Sequence, residues 1–207
     1  MFGLTAFKTT AAAAVIAAAS WVGAASASTV EYVGTGQGTT YTIAFDDDTS
    51  GQIGVTVTAT GSSADMLGLG FDWAGTALDP NLATGDFVFV SSNTNEGITR
   101  VCVDAITCGR GLNFNGTGVG SFDYIVRMGA QGSANGLITD FSFYILTDES
   151  LDAVLTDSFG IRAQSTEAGS IKLIDFTRVA EVPLPAAGLL LLGGLGALGA
   201  AKRRRKA

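Results

Sequence analysis

YTIAFDDDTSGQIGVTVTAT, residues 41–60, contains two runs in which apolar and polar side chains alternate. The apolar positions are every second residue of each run: Tyr41, Ile43 and Phe45, then Ile53, Val55, Val57 and Ala59. A period of two is typical of a β-strand with one buried face. The Asp, Thr, Ser and Gly residues between the runs favour a turn, because their short side chains bond to the local backbone. The stretch therefore predicts strand, turn, strand.

Further runs of the same kind follow along the chain. They cover Leu67–Trp73, Phe87–Val90, Phe122–Met128, Phe141–Ile145, Phe159–Ala163 and Ile171–Phe176, with turn-forming clusters such as Ser91–Asn95 between them. The one segment with helical spacing is Glu149–Leu155, which is short enough to be a single turn. Many short strands separated by turns favour an all-β fold, here an antiparallel β-sandwich of jelly-roll type.

The first 27 residues have the composition of a secretory signal peptide. Lys8 precedes an Ala-rich apolar run, and the small residues Ala25 and Ala27 form a cleavage site before Ser28. The alternative is a retained anchor, but the apolar run is weakly hydrophobic and shorter than a usual membrane span. We expect signal peptidase to remove residues 1–27 after transport by the secretion machinery. Residues 28–181 then form a single β-sandwich domain.

Residues 182–207 have three parts in a fixed order. The first is a short motif, made of Val182, Pro183, Leu184, Pro185 and Ala186. Its prolines fix φ and remove backbone donors, so they favour extended chain. The second part is an apolar stretch, and Leu184 to Ala201 as a helix would span about 27 Å of a bilayer. The last part is a basic tail expected to stay cytoplasmic: Lys202, Arg203, Arg204, Arg205 and Lys206.

This motif, helix and basic tail resemble the PEP-CTERM class of bacterial surface proteins, in its variant with a Val-Pro-Leu-Pro-Ala motif. The resemblance covers about Val182 to Lys206. It implies cleavage near the motif by an exosortase, a membrane processing enzyme, and delivery to the cell surface or extracellular matrix. It also implies a Gram-negative host that makes exopolysaccharide. The alternative is an ordinary transmembrane anchor that is never cut.

Charge and composition restrict the classes of function that the domain can have. Residues 28–181 contain 19 acidic and 6 basic residues, so their formal net charge is −13. Such a surface repels nucleic acid and anionic membranes. The chain has no histidine, and therefore lacks the commonest general base and metal ligand. We expect no cofactor and no enzymatic activity.

Cys102 and Cys108 are the only cysteines of the chain. In an exported protein they favour a disulfide, which in the chain-entropy model contributes roughly 2 kcal/mol. It would hold the loop that carries Asp104, Arg110 and Asn113, a reasonable contact surface. The alternative redox or metal role is disfavoured, since two thiols without histidine make a poor metal site.

Two other clusters suggest ligands, each with a simpler explanation. Asp46, Asp47 and Asp48 offer hard oxygen ligands for Ca²⁺, but their spacing does not match the EF-hand order, and adjacent carboxylates in a turn are commonly just solvated. The Gly-rich segment Gly34–Gly38 lacks the Lys-Ser/Thr pair of a phosphate loop. We expect it to be a flexible approach to the first sheet.

Aromatic side chains offer a route to glycan binding. Trp73 continues an apolar face and is expected in the core, whereas Tyr144 is out of phase with its buried neighbours and is the better exposed candidate. The leading hypothesis is an exported, non-enzymatic surface or matrix protein associated with exopolysaccharide. The alternative is a glycan-binding module. A secreted carbohydrate-active enzyme is the third reading, resting on acid pairs such as Asp72 with Asp79 or Asp148 with Glu149.

Overall fold

The computed structural model describes residues 28–179, except 62, 95, 130–135 and 167–168. Across these residues it contains eleven strands and one single-turn helix. In chain order they are β1 (Thr29–Gly36), β2 (Thr39–Asp46), β3 (Gln52–Gly61), β4 (Asp65–Trp73), β5 (Phe87–Ser92), β6 (Ile98–Ala105), β7 (Phe122–Met128), β8 (Asp140–Leu146), α1 (Leu151–Val154), β9 (Leu155–Thr166), β10 (Gly169–Leu173) and β11 (Thr177–Val179).

The signal peptide and the sorting segment expected at the two ends of the chain lie outside the described residues. Within the part that the structure describes, no helix is long and apolar enough to cross a membrane.

The strands form two antiparallel sheets. The first sheet has the order β11-β1-β2-β3-β8-β5, and the second has the order β10-β9-β4-β7-β6. β2 and β3 pair as the opening stretch predicts, with Ile43 opposite Val57 and Phe45 opposite Val55. The predicted all-β, antiparallel organisation in two sheets is confirmed.

Aromatic side chains join the two sheets face to face. Tyr32 and Phe45 of the first sheet contact Phe159 of the second, with ring centroids 4.3 and 5.5 Å apart. Phe87 of the first sheet contacts Tyr124 of the second at 5.6 Å. All five rings are buried. The alternating apolar residues of both sheets therefore share one core, as in a β-sandwich.

The Gly-rich segment departs from the sequence expectation. Gly34 and Gly36 lie in β1, paired with β2, and the tight turn to β2 uses Gln37 and Gly38, whose φ angles are 51° and 75°. A Cβ on Gly36 would fall 2.0 Å from Ile171 Cδ1, so the missing side chain is what lets β10 pack over β1. The segment is a packed strand end rather than a flexible approach.

β4 carries apolar residues on both of its faces. Leu69, Phe71 and Trp73 point into the main core, but Leu67 belongs to a second cluster with Cys108, Leu112, Phe114, Phe122 and Ile125. A register shift between Met66 and Gly68 breaks the period of two, which is why Leu67 does not share the face of Leu69. The second cluster fills the space between the second sheet and the loop after β6.

Candidate functional site

Tyr144 lies on the outer face of the first sheet, in the middle of β8. Its cross-strand partners are Gly54 on β3 and Val88 on β5. Two residues before it, the Ser142 hydroxyl is 3.2 Å from the hydroxyl of Thr56. The outward positions around Tyr144 thus include small and polar residues and the exposed Val88, while its chain neighbours Phe143 and Ile145 are fully buried.

Among the described residues, Tyr144 is the one tyrosine or tryptophan that is not buried. Tyr32, Tyr41, Tyr124 and Trp73 are between 0% and 6% exposed. The Trp73 indole N–H donates to the carbonyl of Thr76 at 3.0 Å, which fixes the ring inside the sandwich. Of the two aromatic residues considered for glycan contact, only Tyr144 offers ring surface to solvent.

Asp46 reaches the same site because Gly54 lies opposite it. A Cβ on Gly54 would fall 2.3 Å from Oδ2 of Asp46, so the carboxylate lies over the bare backbone of β3. A shallow cavity of about 180 Å³ results, lined among others by Asp46, Gly54, Thr56, Ser142, Val90 and Tyr144. We refer to this cavity and its lining as the Tyr144 face.

The Asp46 carboxyl is electrostatically unusual. Burial raises its pKa above the ordinary value, and the nearby carboxylates of Asp48 and Asp47 raise it further, against a smaller lowering by a backbone hydrogen bond from Asp48. The carboxylate is thus a hydrogen-bond acceptor in a partly desolvated position. Beside it, Tyr144 adds a flat apolar surface, and Thr56 and Ser142 add hydroxyls. Such a set can hold one sugar ring by stacking and by polar contacts.

The three consecutive aspartates do not share one site. Asp46 lines the cavity of the Tyr144 face, Asp47 accepts a hydrogen bond from the backbone nitrogen of Ser28 at 2.8 Å, and Asp47 and Asp48 both line a separate cavity with Asp148 and Glu149. Among the residues that the structure describes, no three acidic or cysteine side chains converge as metal ligands do. Within the described residues, this arrangement provides no set of calcium ligands around the three aspartates, which were the weak calcium candidate.

Three of the four carboxylates suggested for an enzyme hold loops and strand ends, and the fourth, Asp148, lines a cavity with Glu149. Asp72 accepts from the backbone nitrogen of Asp123 at 3.1 Å, and Asp79 from that of Asn81 at 3.0 Å. Glu149 accepts from the backbone nitrogen and hydroxyl of Thr76 at 3.0 and 3.1 Å. These contacts give the three carboxylates a structural use.

Cys102 and Cys108 lie at disulfide distance, with their Cα atoms 5.7 Å apart and their sulfurs bonded. This agrees with the pair expected from the sequence. Cys102 is on β6, and Cys108 is buried in the second apolar cluster beside Leu112 and Phe114. The bond therefore ties the edge strand to the loop that follows it.

Sequence reasoning missed Thr56, Ser142 and Val90. Ser142 shares the outward phase of Tyr144 on β8, and that signal was available. Thr56 and Val90 come from strands paired to β8, and such pairing cannot be read from one sequence. No family model matches this chain, and no curated protein matches it significantly in sequence.

Proposed function

We propose that this protein is an exported, non-enzymatic surface or matrix protein that an exosortase processes at its C-terminal segment. One observation carries the proposal: Val182–Ala186, the apolar stretch and the Lys202–Lys206 tail follow one another without interruption. Extended chain at the prolines suits a protease, and the helix and basic tail orient it at the membrane surface. The strongly acidic domain suits solubility outside the cell.

The β-domain is a sandwich of jelly-roll type in this proposal. In support of it, successive strands from β3 to β9 alternate between the sheets, apart from the neighbours β6 and β7. Long connections across the sandwich are what distinguish such a fold from a simple meander.

The test compares mature protein from a host with its exosortase and from the same host without it. We expect intact mass to show loss of the C-terminal helix only where the enzyme is present. Replacing Pro183 and Pro185 by Ala should block cutting and leave uncleaved protein in the inner membrane. Pro80→Ala, at the only other proline of the chain, is the matched control. A helix that stays attached in both hosts would mean that the segment is only an anchor.

The second candidate function is glycan binding at the Tyr144 face. The observation that favours it is the partly exposed ring of Tyr144 next to the Asp46 carboxylate, across the gap that Gly54 leaves. An exopolysaccharide strand is the ligand class that fits, because a sugar ring offers both an apolar face and hydroxyls. A shallow, solvent-exposed cavity suits weak contacts repeated along a polymer.

A further inference from the structure

Another cavity, of about 270 Å³, lies on the outer side of the second sheet beside the disulfide loop. Arg100, Arg110 and Arg127 line it, three of the six basic residues between Ser28 and Glu181. The cavity is also lined by Thr99, Cys108, Gly109 and Gly129. The same domain has 19 acidic residues, so a cavity lined by three guanidinium groups is unexpected and requires an explanation.

Arg127 is the buried member, with 4% of its surface exposed. Its Nη1 donates to the carbonyl of Gly109 at 2.6 Å and approaches that of Arg110 at 3.5 Å. Its Nη2 is buried without a hydrogen-bond partner among the described residues. Within the same residues, the one ion pair joins Arg178 to Asp152, so this guanidinium has neutral partners only.

The surroundings of Arg127 do not neutralise it. Arg100 is its direct cross-strand partner between β6 and β7, and like charges in that position destabilise a sheet. Burial lowers the pKa of Arg127, and the charges of Arg110 and Arg100 lower it further. The Glu96 carboxylate lies against Gly129, another lining residue, but it is not among the groups that shift the pKa of Arg127. A buried cation without a counter-charge is costly.

The backbone conformation of the loop after β6 shapes the cavity. Gly109, Arg110 and Gly111 all have positive φ, at 75°, 39° and 81°. A non-glycine residue in that region is uncommon, and here it turns the chain back so that Arg110 meets Arg127 and Arg100. The disulfide between Cys102 and Cys108 fixes this loop to β6.

We propose that this cavity binds one oxyanion group, a carboxylate, sulfate or phosphate, through Arg127 with Arg100 and Arg110 at its rim. A guanidinium presents parallel N–H donors that match the oxygens of these groups. The volume is several times the roughly 30 Å³ that a water molecule occupies in the liquid, so a group of a few heavy atoms fits. The site depends neither on exosortase processing nor on the Tyr144 face.

The experiment titrates sodium sulfate, sodium phosphate or sodium glucuronate into the full-length protein by calorimetry, at a total ionic strength held constant with sodium chloride. We expect saturable binding of at least one of these oxyanions. Arg100→Gln and Arg110→Gln, at exposed positions that leave the fold intact, should each weaken it several-fold, and Arg127→Lys about tenfold. Arg178→Gln removes one positive charge elsewhere and should leave the affinity unchanged.

Comparison of the three anions distinguishes a charged sugar from a free anion as the source of the oxyanion group. Stronger binding of glucuronate than of sulfate and phosphate assigns the site to a charged sugar, and equal or weaker binding assigns it to a free anion; either supports the proposal. The proposal fails if no oxyanion binds, or if Arg178→Gln weakens binding as much as Arg100→Gln. It also fails if Arg127→Lys lowers thermal stability in chloride while the oxyanion affinity stays at the wild-type value, because Arg127 would then only hold the loop.

Discussion

The backbone nitrogen of Ser28 donates a hydrogen bond to Oδ1 of Asp47 at 2.8 Å. In return, the backbone nitrogen of Asp47 donates to the carbonyl of Ser28 at 3.4 Å. The expected signal cleavage falls just before this nitrogen and would convert it into an α-ammonium. A neutral hydrogen bond would then become a charge-assisted one. The turn between β2 and β3 thus provides a carboxylate at the place where the mature chain is expected to begin.

We predict that Asp47→Asn destabilises the mature protein by about 1 kcal/mol or less, the range of a partly exposed ion pair. The measurement is urea unfolding of protein that begins at Ser28. Asp48→Asn is the matched control, since it removes the neighbouring carboxylate without touching Ser28. The loss should be smaller in protein that still carries residues 1–27. If the two Asn variants unfold at the same urea concentration, Asp47 does not bind the mature terminus.

Replacing both Cys102 and Cys108 by Ala should lower the free energy of unfolding by about 2 kcal/mol. The physical reason is the extra freedom of the unfolded chain once a short loop is no longer closed. Urea unfolding of the double variant beside the oxidised wild type measures the difference. Reduction of the wild type should reproduce most of it. Two thiols that react fully with an alkylating reagent in natively secreted protein would show that the bond does not form in the cell.

The sequence predicts most strands of this fold but not β1, β6 and β11. β2, β3 and β8 alternate strictly because one face of each meets the core, and all three were predicted. β6 was not, because it is an edge strand whose side chains are mostly half-buried or exposed, so burial imposes no alternation on it. β11, with three exposed residues, was missed for the same reason.

For the candidate sites too, the sequence predicts what depends on local properties and not what depends on strand pairing. Tyr144 could be selected because its phase on β8 differs from that of Phe143, a local property. Asp46 reaches Tyr144 across β3, and Arg127 meets Arg100 and Arg110 through strand pairing and a turn with positive φ. These contacts depend on the register between distant strands, and the periodicity and composition of the sequence do not specify that register.

Tyr144→Ala should weaken binding to the host's purified exopolysaccharide by roughly tenfold, because the flat face that stacks on a sugar is lost. Affinity electrophoresis in gels that contain the polymer measures it. Tyr144→Phe should keep most of the affinity, since the ring remains. Leu146→Ala is the matched control: this exposed residue lies two positions further along β8 and outside the cavity. Equal mobility of the Tyr144→Ala variant and the wild type at every polymer concentration would remove the Tyr144 face as a glycan site.

The raised pKa of Asp46 predicts how the stability of the fold depends on pH. A group whose pKa is higher in the folded state holds its proton more tightly there, so its favourable contribution is complete below the ordinary value of about 3.9 and is lost as pH rises through the folded-state pKa. At neutral pH the carboxylate is ionised against burial and against Asp48 and Asp47. Asp46→Asn should therefore stabilise the fold at pH 7, by an amount that shrinks towards pH 3.

Urea unfolding of the variant and the wild type across this pH range measures the difference, with Asp140→Asn, at a carboxylate of β8, as the control. If Asp46 also accepts hydrogen bonds from a sugar, Asp46→Asn should weaken exopolysaccharide binding at pH 7 while it strengthens the fold. Opposite signs for stability and binding are what a residue retained for a ligand shows. An Asp46→Asn variant that is less stable than the wild type at pH 7 would contradict the electrostatic argument, and unchanged binding would limit Asp46 to a role in the sheet.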